Sequence, residues 1–205
     1  PTNGTPPAGV TVSYKPQYLK ATQSASLRER MAALMGDPTF DVKLFERELV
    51  PGLHLDGVLD VALPDLSGGE LQRAAVALAL ARPATLYLLD EPSAYLDADE
   101  RMAMARLVRR QVERQASTAL VVDHDVYFLD LACDGLMVFA PEGAEGGRGD
   151  GPFAMRDGMN RLLKQVEITF RRDAETLRPR INQEGSVLDR EQRSRGEYYY
   201  EPADR

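Results

Sequence analysis

The chain has 205 residues, a mass of 22.7 kDa and a formal net charge of −7, and this size allows one domain, or one domain with an appendage. Hydrophobic residues make up 43% and charged residues 28% of the sequence, which excludes a disordered or fibrous protein. The longest purely apolar run, residues 74–81, has eight residues, against the roughly 20 that cross a bilayer. We therefore expect no membrane-spanning segment.

The cysteine content and the first residues bear on the cellular location. A single cysteine, Cys133, excludes an intramolecular disulfide and a self-contained iron–sulfur cluster, and it favours a reducing, cytoplasmic location. Residues 1–9 lack the basic start and the apolar core of a signal peptide and contain no initiator Met. We expect these residues to be unstructured and the chain to begin within a longer protein.

The first part of the chain predicts one strand and two helices. Residues 10–14 alternate in character and include β-branched side chains, which is typical of a short strand. Apolar side chains then recur on one helical face over residues 26–35 and again over residues 41–50. Pro51 and Gly52 are predicted to end the second helix.

From Leu66 the pattern changes to alternating helices and strands, which is typical of a mostly parallel α/β sheet. The predicted helices cover residues 70–81, 98–115 and 126–132. The predicted strands cover residues 85–89, 118–122 and 135–139. Asp97 and Glu100 fit a capping box at the start of the long helix.

A composition change divides the chain into a larger domain, residues 10–140, and a smaller module, residues 153–205. Residues 141–152 contain five Gly and two Pro, and we interpret them as a mobile loop at the boundary. In the smaller module the sequence predicts a helix over residues 154–165 and a strand over residues 166–170.

The strongest local motif is the octet at residues 66–73, LSGGELQR, a Ser-Gly-Gly turn that leads directly into a helix. Gly68 and Gly69 allow close approach of a ligand to the backbone, and the helix N-terminus presents free N–H groups and a partial positive charge. The Ser67 hydroxyl adds a donor, and together these groups suit a phosphate. An ordinary capped helix explains Ser-Gly-Gly alone equally well, whereas the whole octet favours a function.

Polar side chains also follow two predicted strands. Asp90 and Glu91 end the apolar strand before them, in the place where open α/β sheets bind ligands. Asp90 could hold Mg²⁺ and Glu91 could polarise an attacking water, with a merely polar strand end as the alternative. His124 follows the next strand between Asp123 and Asp125, but no further side chain is spaced to complete a metal site there.

The order and spacing of Gln17, the octet, Asp90-Glu91, residues 93–97 and His124 resemble the nucleotide-binding domain of ATP-binding cassette (ABC) proteins. The resemblance implies a P-loop NTPase-like α/β fold, a mostly parallel sheet with a helical subdomain. It implies ATP and Mg²⁺ as cofactors. It also implies that Gln17 is the Q-loop glutamine, which senses Mg²⁺.

The same resemblance implies roles for the remaining motif residues. Residues 66–70, which include Glu70, correspond to the ABC signature, and residues 93–97, which end at Asp97, correspond to the D-loop. Asp90 corresponds to the Walker B aspartate that binds Mg²⁺. Glu91 corresponds to the catalytic glutamate, and His124 to the switch histidine.

Within the ABC proteins, the end of the chain narrows the resemblance. Residues 158–164, 168–173, 178–182 and 196–200 resemble the C-terminal cassette and hinge of the ribosome-recycling ATPases also called RNase L inhibitors. This resemblance implies a function in ribosome splitting and translation initiation. The implied partners are a first cassette of the same protein, the small ribosomal subunit and its rRNA, and release or recycling factors, with an iron–sulfur cluster in an N-terminal domain outside this chain.

The departure from the ABC pattern is the P-loop, because no G-x-x-x-x-G-K-[ST] sequence occurs in the chain. The resemblance places that loop upstream of Gln17, and we expect this chain alone to be inactive. Ser67, Gly68 and Gly69 are then expected to act on ATP held by the first cassette. A cassette without the P-loop strand and helix should also expose an apolar flank.

Two other functions stay open. One is a non-catalytic module that binds a partner cassette or rRNA through the Arg-rich tail. Residues 161–197 carry nine basic and seven acidic residues, a balance that favours a salt-bridged hinge over RNA contact. The other is a different soluble ABC ATPase, against which the tail motifs argue.

Overall fold

A computed structural model describes residues 6–17, 24–142, 146–173 and 179–200 of the chain. The chain divides into two compact units, Pro1–Ala132 and Cys133–Arg205. Of the predicted unstructured start, residues 6–9 are described, and they form no helix or strand. Residues 1–5 lie outside the described residues.

The first unit contains a three-stranded parallel sheet of order β1-β2-β3, which confirms the predicted parallel α/β arrangement. Its strands are β1 (Val12–Lys15), β2 (Leu86–Asp90) and β3 (Thr118–Val122). Tyr14 pairs with Leu88, and Leu88 pairs with Leu120. Because parallel strands need crossover connections, helices separate the strands along the chain.

The helices of this unit lie close to their predicted positions. They are α1 (Leu27–Leu34), α2 (Val42–Leu44), α3 (Val50–Gly52), α4 (Gly68–Leu80), α5 (Ala98–Arg114) and α6 (Val126–Ala132). Ser26, Ser67 and Asp97 each cap a helix in a capping box, and the box predicted for Asp97 and Glu100 is therefore confirmed.

The segment predicted as one helix over residues 41–50 is more complex. A π-helical turn, Phe45–Leu49, separates α2 from α3, and helical structure continues through Gly52. The prediction that Pro51 ends the helix is wrong by two residues. Pro51 is the second residue of α3, directly after the π-helical turn, and helical structure continues past it to Gly52.

The core of the first unit lies between the helices and one face of the sheet. Its fully buried side chains come from most of these elements and include Leu27, Phe45, Leu49, Leu80, Tyr87, Met104 and Phe128. Ser13 points into the same side of the sheet, where its hydroxyl donates to the carbonyl of Ala79 at 2.7 Å. This bond connects β1 directly to α4.

The opposite face of the sheet is apolar and open. Val12, Tyr14, Leu120 and Val122 are 38%, 55%, 51% and 57% exposed, respectively. They alternate with inward residues along β1 and β3, so they share one face. These exposed side chains agree with the expected apolar flank.

The second unit begins with an antiparallel pair, β4 (Gly135–Glu142) and β5 (Gly146–Ala154). Two predictions are therefore wrong. Residues 135–139 do not belong to the parallel sheet, and most of the Gly-rich segment predicted as a loop, residues 141–152, is paired strand. Residues 143–145 lie outside the described residues.

Close packing in this pair explains why its strands contain glycine. A Cβ at Gly135 would lie 2.6 Å from the carbonyl oxygen of Phe153, and one at Gly149 would lie 2.8 Å from the ring of Phe139. A Gly-rich sequence is usual in loops, but here glycine is what allows the two strands to approach.

The remainder of the second unit consists of two helices and a small mixed sheet. These elements are α7 (Met155–Gln165), β6 (Phe170–Arg172), β7 (Pro179–Ile181), α8 (Val187–Arg195) and β8 (Tyr199–Tyr200), with sheet order β7-β6-β8. The strand predicted at residues 166–170 begins later because Glu167 has a left-handed φ of 56° after α7. Across the described residues, none of the helices has the length and apolarity needed to cross a membrane.

A buried carboxylate holds the second unit together. Asp189 accepts hydrogen bonds from Thr169 Oγ1 at 2.7 Å, from the Gly185 amide at 2.9 Å and from Arg193 Nε at 2.9 Å. The Thr169 and Gly185 hydrogen bonds, with the Arg193 pairing, lower the pKa of Asp189 to about 2. Phe170, next to Thr169, stacks on Tyr199 with ring centroids 5.6 Å apart.

We predict that the open face of the first unit binds the hydrophobic dye ANS in the isolated chain. Replacing Leu120 and Val122 together with threonine should lower the dye fluorescence, because the exposed apolar area shrinks while strand propensity is kept. Each change should alter the unfolding free energy by no more than about 0.5 kcal/mol. Val187→Thr, at an exposed position of α8 in the second unit, is the control, and equal fluorescence in all three proteins would contradict the prediction.

We predict that Asp189→Asn lowers stability at neutral pH but not in strong acid. A carboxylate whose pKa is lower in the folded than in the unfolded state adds stability above its ordinary pKa of 3.8, and that stability disappears as the pH falls through the folded value near 2. Urea unfolding at several pH values should show the wild-type advantage narrow between pH 4 and 2. Glu191→Gln, at an exposed position of α8, should show no such convergence.

Candidate functional site

Four of the predicted site residues lie at one edge of the parallel sheet. Gln17 follows β1, Asp90 ends β2 with Glu91 directly after it, and His124 follows β3. Because all three strands are parallel and adjacent, their carboxyl ends meet at the same edge. Gln17, Asp90 and Glu91 are half-buried there, and His124 is exposed.

Sequence reasoning missed a lysine at this edge. Lys15, the last residue of β1, is 1% exposed, and its Nζ donates to the carbonyls of Asp90 at 2.6 Å and Glu91 at 3.2 Å. Burial lowers the pKa of Lys15 to about 8, against the opposing effect of the nearby Asp90, Asp123 and Glu91. The sequence did contain a signal for this lysine. Inward and outward side chains alternate along β1, and extending the predicted strand from residue 14 to residue 15 places Lys15 on the inward face.

Glu91 has an unusual backbone. Its φ is 46°, in the left-handed region that residues other than glycine seldom adopt. Its amide donates to the carbonyl of Val122 at 2.7 Å, and its carbonyl accepts from Lys15 and from Gln72 Nε2. Contacts from β3, β1 and α4 therefore determine the conformation from which the Glu91 carboxylate projects.

The residues beside His124 are bonded to the segment after Glu91. The Asp123 carboxylate accepts from the Ser93 amide at 3.0 Å and from Ser93 Oγ at 2.8 Å. It also accepts from the Asp125 amide at 2.9 Å, and Asp125 pairs with Arg101. The D-loop and the segment that carries His124 are thus joined.

These hydrogen bonds also bear on the alternative hypothesis that Asp123, His124 and Asp125 bind a metal ion. The carboxylates of Asp123 and Asp125 are both engaged by protein donors. Among residues 6–17, 24–142, 146–173 and 179–200, no group of three or more His, Cys, Asp or Glu side chains is arranged to hold a metal ion. A site made by protein ligands alone therefore has no support in the described residues.

The octet forms a capped and accessible helix start. Ser67 Oγ accepts from the Glu70 amide at 3.3 Å, and the Glu70 carboxylate accepts from the Ser67 amide at 2.8 Å and from the hydroxyl at 2.7 Å. These bonds from Ser67 lower the pKa of Glu70. The amides of Gly68 and Gly69 belong to the first helical turn, where N–H groups have no partner within the helix.

The two glycines also have a packing role that the sequence did not reveal. A Cβ at Gly69 would lie 2.9 Å from the carbonyl oxygen of Tyr95, and one at Gly68 would lie 3.2 Å from the Tyr95 ring. Tyr95 itself is 77% exposed and has a left-handed φ of 63°. A side chain at position 69 would therefore displace the backbone at Tyr95, whereas one at position 68 would meet only the exposed Tyr95 ring.

Arg73, the last residue of the octet, strengthens this junction. Its guanidinium donates to the carbonyls of Leu53 at 2.8 Å and His54 at 3.2 Å, and it pairs with Glu100 at 3.3 Å. Glu100 is bonded in turn to Asp97 through the capping box of α5. The signature residues and Asp97 thus form a second cluster, which Gln72 connects to the strand-end residues through the carbonyl of Glu91.

The comparisons with known proteins agree with this arrangement. The family model described as ABC transporter matches residues 5–94. A parallel sheet with Asp90 and Glu91 at a strand end, together with the octet at a helix start, defines the chain as part of an ABC-type nucleotide-binding domain.

The relatives and solved structures make the assignment more particular. An uncharacterized ABC transporter ATP-binding protein of Methanocaldococcus jannaschii is 42% identical over 93% of this chain and 31% of that protein. Translation initiation factor rli1 of Schizosaccharomyces pombe is 37% identical over 92% of this chain and 32% of that protein. The structure of an RNase-L Inhibitor has a TM-score of 0.85 at 48% identity, over 98% of this chain and 39% of that one.

A further solved structure contains an archaeal ribosome recycling factor in complex with the archaeal ribosomal stalk protein aP1. It has a TM-score of 0.85 at 47% identity, over 98% of this chain and 38% of that one. The chain belongs to the RNase L inhibitor family of ABC proteins. It spans about a third of the length of the curated relatives that it matches.

We predict that Gly69→Ala destabilises the first unit by about 1–2 kcal/mol, because the new methyl group would collide with the rigid backbone at Tyr95. Urea unfolding of the variant measures this loss. Gly57→Ala is the matched control, since no atom lies within 4 Å of a Cβ built there, and it should change the unfolding free energy by no more than about 0.5 kcal/mol. Equal stability of the two variants would contradict the packing role of Gly69.

Proposed function

We propose that this chain is part of a two-cassette ABC ATPase that couples ATP binding and hydrolysis to ribosome recycling and translation initiation. The observation that carries the proposal is the convergence of Gln17, Asp90, Glu91 and His124 at the carboxyl ends of three adjacent parallel strands. Relatives named as a translation initiation factor and as a ribosome recycling factor support the biological setting.

In this proposal Asp90 and Gln17 bind Mg²⁺ together with the phosphates of ATP. Mg²⁺ in nucleotide sites takes one or two protein oxygens and completes its shell with phosphate and water. One strand-end carboxylate with an amide after the neighbouring strand fits that donor set. Bound Mg²⁺·ATP would supply the transferable phosphoryl group and neutralise part of its charge.

Glu91 and His124 are the proposed catalytic residues. Glu91 would orient a water molecule and accept its proton, since its carboxylate projects from a turn that three neighbouring elements hold. His124 would donate to the γ-phosphate from its exposed position after β3. Preorganised groups of this kind account for most of the catalysis in phosphoryl transfer.

The signature cluster is proposed to act on a different nucleotide, held by the P-loop of the first cassette. Ser67, Gly68 and Gly69 would present amides and a hydroxyl to its phosphates, and Glu70 and Asp97 would orient that surface through their caps. We also propose that the chain alone does not hydrolyse ATP, because its sequence lacks the G-x-x-x-x-G-K-[ST] motif.

Residues 153–205, which lie in the second unit, are proposed to be the hinge module. Within these residues, described arginines pair with nearby acids: Arg156 with Glu197, Arg180 with Asp173, and Arg193 with Asp189. Such pairing supports a salt-bridged hinge over a surface dedicated to rRNA phosphates. The proposed partners of the whole protein are the small ribosomal subunit and release or recycling factors. The proposal also includes a cytoplasmic location and an iron–sulfur domain elsewhere in the protein.

We predict that Glu91→Gln, in the protein that joins this chain to its P-loop and first cassette, abolishes ATP turnover without abolishing ATP binding. An amide cannot accept the proton of the attacking water, and general-base catalysis is worth roughly 10²–10⁴-fold. Steady-state hydrolysis and nucleotide retention after gel filtration measure the two properties, and the variant should remain in the ATP-bound form.

Glu113→Gln is the control for that experiment. Glu113 lies on the exposed side of α5, where it pairs with Arg109 at 2.9 Å, and its replacement should leave turnover unchanged. Wild-type turnover in the Glu91→Gln protein would refute the role proposed for this residue.

A further inference from the structure

The carbonyl oxygen of Glu91 accepts hydrogen bonds from two buried side chains that come from different elements. Lys15 reaches it from the end of β1 at 3.2 Å, and Gln72 reaches it from α4. Lys15 is 1% exposed and Gln72 is 2% exposed. Lys15 donates at the same time to the carbonyl of Asp90 at 2.6 Å, so both residues of the Asp90–Glu91 turn are held.

Burying these two side chains is costly. An ammonium group loses its water shell, and an amide must find new partners, so each is destabilising unless the protein supplies acceptors. The corresponding inward position of β2, Leu89, is apolar and 1% exposed. An apolar side chain at position 15 would have met the packing requirement as well, which indicates that the donor groups serve the turn.

The turn has a conformation that needs such support. Glu91 has a φ of 46°, which is disfavoured for a residue with a Cβ and persists only where the surroundings over-determine it. The Val122 carbonyl binds the Glu91 amide on one side of the residue, and Lys15 and Gln72 bind its carbonyl on the other. Loss of either donor leaves a buried carbonyl with fewer partners and a turn free to relax.

We propose that Lys15 and Gln72 are positioning residues, which hold the backbone of Glu91 so that its carboxylate faces the attacking water. The inference rests on the catalytic role proposed for Glu91. The Glu91 carbonyl oxygen thereby connects three parts of the candidate site: the strand that leads to Gln17, the helix that begins with the signature, and the Asp90–Glu91 turn itself.

The geometry predicts that loss of either donor lowers ATP turnover without weakening ATP binding. Lys15 and Gln72 are buried behind the turn and contact backbone carbonyls, so their removal should displace the carboxylate without removing a group that touches ATP. A displacement of about 1 Å at a reacting group can cost roughly 10²-fold in rate. A stability role alone would lower the melting temperature and leave kcat of the folded protein unchanged.

The test uses Lys15→Met and Gln72→Met in the same two-cassette protein, because methionine keeps the length of each side chain and removes its donors. We expect each variant to lose about 10–100-fold in kcat, with KM for ATP within about twofold of wild type. Lys43→Met, at an exposed position, is the matched control and should keep the wild-type kcat.

Combination with Glu91→Gln tests whether the effect passes through Glu91. If the two residues act by positioning that carboxylate, adding Lys15→Met to Glu91→Gln should cause no further loss of turnover. An additional loss equal to that in the wild-type background would overturn the proposal. An unchanged kcat in folded Lys15→Met and Gln72→Met proteins would overturn it as well.

Two controls keep the outcome decisive. Circular dichroism establishes whether each variant is folded, and if Lys15→Met is not, Gln72→Met decides, since it leaves the buried lysine and its bond to Asp90 in place. The Glu91→Gln protein is the reference. If its turnover equals that of wild type, the role of Glu91 itself is refuted, which is a different result from full activity in the two positioning variants alone.

Discussion

The pairing of β2 with β1 on one side and β3 on the other is the constraint on which the candidate site depends. Its parallel register carries three strand ends to one edge, so that residues separated by more than 100 positions in sequence lie at the same edge of the sheet. Gln17, Glu91 and His124 need no contact with one another to be arranged correctly. Each has only to follow its own strand at the right distance.

Hydrogen bonds from buried or half-buried side chains to backbone groups stabilise the turns at that edge. Lys15 and Gln72 bind carbonyls of the Asp90–Glu91 turn, and Asp123 binds the Ser93 amide. Arg73, the last residue of the octet, likewise donates to a backbone group, the carbonyl of Leu53. Apolar contacts position the helices and the sheet, whereas these polar contacts determine the conformation of the loops, where backbone groups would otherwise lack partners.

Most of the elements, and the convergence of the candidate residues, could be predicted from the sequence. Parallel strands have a strong apolar signal, as at Leu86–Asp90, and helix caps are local, as at Asp97 and Glu100. Three features could not be predicted because tertiary contacts decide them. The first is the burial of Lys15, which depends on the two carbonyls that accept hydrogen bonds from its ammonium group. The second is the strand formed by the Gly-rich segment, which depends on the close packing of β4 against β5.

The third feature is Pro51, where a π-helical turn changes the hydrogen-bond pattern before the proline is reached. Local propensity treats proline as the end of a helix, and the outcome here depended on the preceding turn. For the site residues, by contrast, the parallel strand order accounts for their places at one edge of the sheet.

The Ser67 hydroxyl has a single proton, which in this structure goes to the Glu70 carboxylate. If this hydroxyl contacts a phosphate, as proposed, that phosphate meets a donor that is already engaged, beside an acid whose negative charge repels it. To bind the anion through this hydroxyl, the side chain must exchange one acceptor for the other, and the capping carboxylate must lose a partner. The capping box would thus make the proposed anion binding a competition between two acceptors, the carboxylate and the phosphate, for one hydroxyl proton.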